Sequence, residues 1–90
     1  MNIPEITIGS EKQIAWAQKI VDGYIKDFEK LPWKEEIKPV VAAVMVEMFF
    51  NSNKAEHFIN IRNKYGYGLI TIFDAHRPAI MDAVKKAMNA

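Results

Sequence analysis

Residues 40–50 read Val40-Val41-Ala42-Ala43-Val44-Met45-Val46-Glu47-Met48-Phe49-Phe50, and their conformation decides the fold. A run this rich in valine can be a buried strand or a buried helix, and periodicity cannot separate the two. Its length and its Ala and Met content favour helix. A helix apolar on all sides belongs in the middle of a small bundle. The run falls well short of the ~20 residues that a bilayer span needs, so a core helix is expected and no membrane contact. Pro39 suits a first-turn position, and Glu35 and Glu36 near the positive end of the helix dipole would suit an earlier start. Glu47 alone interrupts the run. A buried carboxylate there would have chemical interest, but an exposed edge of the helix or an ion pair is the plainer expectation.

Upstream, Ser10-Glu11-Lys12-Gln13 has the form of a capping box, in which the Ser10 hydroxyl and the Gln13 side chain each satisfy the other's backbone N–H. Ile14, Ala17, Val21, Tyr24, Phe28 and Leu31 then recur at spacings of three and four, widened by Ile20 and Ile25, which predicts a helix over 11–31. Lys12, Lys19, Asp22, Lys26, Glu29 and Lys30 fall mostly on its other faces, with Asp22 and Lys26 spaced for an ion pair. Pro32 ends the helix. Residues 3–8, before the break at Gly9, suit a short strand or an extended arm.

Downstream, Asn53 and Glu56 suggest a second capped start, with Ala55, Phe58, Ile59, Arg62 and Tyr65 on one face and Gly66 at the C-terminal stop. Residues 67–73, Tyr-Gly-Leu-Ile-Thr-Ile-Phe, fit a helix better than a strand paired with residues 3–8. Pro78 can open a last helix over 78–89, with Ile80, Ala83, Val84, Ala87 and Met88 inward and Asp82 paired with Lys86 outside. The expected fold is all-α: one domain over residues 1–90, a compact bundle of about four to five short helices, with residues 1–9 as an arm or short strand.

Half of the 90 residues are hydrophobic and the net charge is +1, a globular composition with no general bias toward nucleic acid. The chain has no cysteine, which excludes a disulfide framework, a thiolate nucleophile and a Cys-based zinc site, and suits a cytoplasmic setting. The N-terminal residues lack the basic and apolar regions of a signal peptide. Glu56, His57, Asp74 and His76 show no metal-ligand spacing. His57 reads as a surface or half-buried helix residue and His76 as a junction residue bonded to backbone. Ser10 and Ser52 have structural explanations, no base pairs with any hydroxyl, and Gly66-Tyr67-Gly68 is too short for a phosphate loop. No catalytic residue, metal or cofactor is therefore expected.

Two surfaces remain. Lys54, Arg62, Lys64, Arg77, Lys85 and Lys86 give residues 46–90 six basic side chains against four acidic, and Tyr65 and Tyr67 could stack on bases, so nucleic acid is one possible ligand. Trp16 lies off the main apolar stripe. Core packing is its favoured role, with a partly exposed partner anchor as the alternative, in a patch with Lys12, Gln13 and Lys19.

The segment Gly9-Ser10-Glu11-Lys12-Gln13-Ile14-Ala15-Trp16-Ala17-Gln18-Lys19-Ile20 resembles an opening motif, G-S-E-K-Q-I-x-W-A-x-x-I, of small proteins and protein segments from bacteriophages and other mobile elements. Residues Ala55-Glu56-His57-Phe58-Ile59-Asn60-Ile61-Arg62-Asn63 are similar to a downstream motif in them, with aromatics followed by I-D-N-R; Asn60 and Ile61 depart from its acidic and amide positions. The resemblance implies a phage or mobile-element origin. By analogy with small phage proteins that bind and block host machinery, including CRISPR defence systems, it implies a non-enzymatic accessory protein with a protein partner in the host cytoplasm. Its partner surface would be Lys12, Trp16, Lys19 and Arg62.

Overall fold

The computed structural model of the chain describes residues 1–66 and 68–89. Five α-helices lie among them: α1 (Glu11–Lys30), α2 (Lys38–Met45), α3 (Ala55–Tyr65), α4 (Leu69–Ala75) and α5 (Arg77–Met88). The fold is all-α, and residues 40–50 are helical throughout. The helix that the pattern of residues 67–73 predicts is α4, which covers Leu69 onward; Tyr67 lies outside the described residues.

Helix α1 starts on the capping box, with both reciprocal bonds formed: Gln13 N–H to Ser10 Oγ at 3.1 Å and Ser10 N–H to Gln13 Oε1 at 3.0 Å. Ala17, Ile20, Val21, Tyr24 and Phe28 are buried on one side. Asp22 does not pair with Lys26; its Oδ1 accepts from Gln18 Nε2 at 3.0 Å, one turn earlier. Pro39 sits in the first turn of α2.

From Val46 to Phe50 the helix widens into a π turn. In an unbroken α-helix, Met48 would follow Val44 and Met45 into the core. The extra residue per turn rotates the inward position to Phe50, which is 0 % exposed, and leaves Met48 40 % exposed. The helix is therefore not buried all round as its composition suggests. Ala43, Glu47 and Met48 face outward, because the helix packs mainly on α5 rather than inside a ring of neighbours. Phe50 stacks between Tyr24 and Phe58, with ring centroids 5.4 and 6.4 Å away.

The N-terminal arm does not pair with residues 67–73. Thr7 and Ile8 donate their N–H groups to Asn53 O, and Ala55 N–H donates to Ile8 O at 2.9 Å, making a parallel bridge between Ile8 and Lys54. Asn53 is consequently not the N-cap of α3. Its side-chain amide reaches Thr7 Oγ1 at 3.3 Å, and α3 begins at Ala55 without a side-chain cap. Gly9 approaches so closely that a Cβ there would lie 3.0 Å from Ala55 Cβ, at a backbone φ of +142°.

That pairing sets how α1 and α3 lie. Thr7 with Asn53, Ile8 with Lys54, Gly9 with Ala55 and Trp16 with Arg62 all share a separation of 46 positions. Further along, Tyr24 Oη donates to Gly66 O and Leu69 N–H donates to Asp27 Oδ2, now at a separation of 42. The two helices thus run side by side in the same direction, with α2 and the π turn as the returning connection. Helix α5 buries Ile80 and Val84 and half-buries Ala83, while Ala87 and Met88, expected inward, are exposed in its last turn. Asp82 and Lys86 pair at 3.1 Å, at the expected spacing.

Candidate functional site

Helix α1 buries the side centred on Ala17, Val21, Tyr24 and Phe28, and this leaves another long face in solvent. Trp16 stands on that face and is 40 % exposed, so it is not a core residue. The indole is turned toward the seam between α1 and α3. There the Arg62 guanidinium lies over its ring, 5.6 Å from the centroid. Arg62 is half-buried, and its Nη1 donates to Asn63 Oδ1 at 3.2 Å. Arg62 therefore covers part of the ring, and Trp16 as a whole stays 40 % exposed. Lys12 and Lys19, one turn before and after Trp16, are exposed, and neither meets a carboxylate among the described residues.

The fold thus assembles Lys12, Trp16, Lys19 and Arg62 into one surface. It also joins the two stretches that carry the phage resemblance. Gly9 packs on Ala55, and Trp16 stacks with Arg62, so residues far apart in sequence form a single seam. Most of the opening motif is accounted for by this packing: Gly9 by close approach, Ser10 and Gln13 by the cap, and Ala17 and Ile20 by complete burial. Lys12 and Lys19 have no such internal role among the described residues.

The same face holds residues that a search for apolar periodicity passes over. Lys12, Trp16, Lys19, Gly23, Lys26 and Lys30 alternate at spacings of four and three, which places all six on one stripe of α1. The four lysines are exposed and pair with no carboxylate among the described residues. Two acidic side chains of α1 are engaged elsewhere: Asp22 accepts from Gln18, and Asp27 accepts from Leu69 N–H at 3.1 Å. The available signal was the period of the charges, which matches that of the buried side.

The six basic residues considered for nucleic acid are divided. Lys54, Arg62 and Lys64 belong to α3 or its start, and Arg77, Lys85 and Lys86 to α5. Arg77 pairs with Asp74 at 2.9 Å and lies over the Phe73 ring, Lys86 pairs with Asp82, and Lys64 lies over Tyr65. Lys54 and Lys85 are exposed.

The histidines are held in separate contacts. His57 is half-buried, and its Nε2 contacts Phe49 O, a carbonyl of the π turn. His76 is not bonded to backbone through its ring; Nε2 meets Tyr65 Oη at 2.7 Å. No group of three metal-ligating side chains is gathered among the described residues. Glu47 is exposed at the rim of an open recess of about 480 Å³ lined by Met1, Asn2, Pro39 and Asn51 among others, with no histidine in it. No described helix is long and apolar enough to cross a membrane.

No family model, curated protein or solved structure matches this chain in comparisons with known proteins.

Proposed function

We propose that the chain is a non-enzymatic accessory protein of a phage or mobile element, acting in the host cytoplasm by binding a host protein through Lys12, Trp16, Lys19 and Arg62. Host machinery such as a CRISPR defence system is the class of target. The observation that carries this reading is Trp16, 40 % exposed, stacked with Arg62 and flanked by lysines that pair with no carboxylate among the described residues. A tryptophan packed against an arginine presents a large amphipathic surface, and Trp and Arg are enriched among the residues that carry most of the binding energy at protein interfaces.

The test is affinity capture from host lysate with the wild-type chain and with a Trp16→Ala/Arg62→Ala double variant. The wild-type chain should retain a defined protein that the variant loses, while circular dichroism of the two remains alike. Retention of no specific protein, or equal retention by the folded variant, counts against the reading.

Nucleic acid is the second reading, supported by Lys54 and Lys85, which are exposed and pair with no carboxylate among the described residues. It requires binding that falls steeply with salt as counterions are released, and absence of DNA or RNA binding at low salt would exclude it.

A further inference from the structure

We infer that the occupant of this surface is an acidic α-helix of the partner, laid lengthwise along the Lys12–Lys30 stripe of α1, with its contact closest at Gly23. The inference rests on the protein-binding reading above and specifies the chemistry of the partner.

Three observations carry it. The first is register. Lys12, Lys19 and Lys26 recur every seven residues, and Trp16, Gly23 and Lys30 form a second row at the same interval. At a rise of about 1.5 Å per residue, each interval is about 10.5 Å and the stripe is about 27 Å long. A second helix has the same rise, so carboxylates at heptad spacing meet the lysines along the whole stripe. Individual exposed ion pairs are weak, and it is the repeated register that distinguishes one partner from another.

The second is the notch. A Cβ built on Gly23 meets nothing within 4 Å, so no packing among the described residues requires glycine there. Glycine in a helix interior lowers helix stability relative to alanine. On the binding stripe, however, it lets a partner backbone or a bulky side chain approach more closely than any other residue allows. Trp16 is the ridge and Gly23 the hole, one heptad apart.

The third is charge density. Duplex DNA carries one charge per about 1.7 Å, or roughly 16 over the length of the stripe. The stripe offers four lysines with Arg62 beside it, on a chain of net charge +1. That sparse row suits a helix with about two carboxylates per heptad better than it suits a polynucleotide.

The test uses the whole chain and three probes: a synthetic Ala/Leu/Glu helix of about three heptads with glutamates at the first and fifth positions of each, a peptide of the same composition with the glutamates out of register, and a single-stranded oligonucleotide of equal charge. Binding is followed by calorimetry and by the Trp16 indole resonance. The in-register helix should bind at least about tenfold more tightly than either other probe, and a Lys19→Glu/Lys26→Glu variant should lose at least about tenfold in affinity for it. Gly23→Leu should fold, since its side chain enters open space, and should weaken peptide binding to a similar degree. Equal binding of the two peptides, tighter binding of the oligonucleotide, self-association through this face, absence of peptide binding, or wild-type affinity in folded Gly23→Leu would each overturn the inference. The two readings fail separately. Loss of a captured host protein on Trp16→Ala/Arg62→Ala substitution, with no peptide binding, retains the surface and rejects the helix. Peptide binding with no host protein captured retains the acidic-helix chemistry of the surface and rejects a host protein as its partner.

Discussion

Gly9 and Gly23 show how one residue type serves opposite ends. Gly9 combines a φ of +142° with a 3.0 Å approach to Ala55 Cβ, so the arm docks only because no side chain is present. Gly9→Ala is expected to cost about 2 kcal/mol or more, read as a lower midpoint in urea unfolding. Gly23→Ala should instead stabilise the fold by roughly 0.5–1 kcal/mol, raising Tm by about 2–8 °C, because its site is helical and open. A Gly23→Ala variant less stable than wild type would mean that the notch is filled within the chain. Trp16 belongs to the same scale. Its spacing beside Ile20 suited the core, but only the position of Arg62 on the neighbouring helix determined which way the ring faces.

At the scale of elements, the helices differ in where their ends are satisfied. The caps of α1 are local and were legible: the Ser10–Gln13 box lies within four consecutive residues. The start of α4 is not. Gly68 offers no side chain, and the first N–H of α4, from Leu69, is taken by Asp27 of α1. That carboxylate also lies at the positive end of the helix dipole. Asp27→Ala should therefore cost about 0.5–2 kcal/mol, with amide exchange accelerating first in residues 69–75. Uniform acceleration across the chain would show that α4 does not depend on this cap. The π turn obeys the same logic. Residues 40–50 carry no mark that their period changes after Met45, because the change is imposed by Tyr24 and Phe58, which receive Phe50.

In the whole molecule, the aromatic stack of Tyr24, Phe50 and Phe58 ties α1, the π turn and α3 into one core, with all three residues 0 % exposed. Phe50→Ala is expected to cost about 3–5 kcal/mol, a large share of the stability of a domain this small, so chemical denaturation should show either a strongly lowered midpoint or no folded baseline. A loss below about 1 kcal/mol would mean that the π turn relaxes to α-helix and Met48 takes the vacated place.

Helix content, the cap of α1, the start of α2 near Pro39, the Asp82–Lys86 pair and, among the described residues, the absence of a membrane-length apolar helix all follow from residues a turn or two apart, where backbone hydrogen bonds and side-chain period operate. Asn53 binding the arm rather than capping α3, Asp27 capping α4, the inward turn of Phe50 and the exposure of Trp16 each depend on a partner many positions away. Short-range chemistry specifies which segments are helices. Which faces remain outside, and hence which surface can bind, is settled only when α1 and α3 lie side by side and compete for the same buried volume.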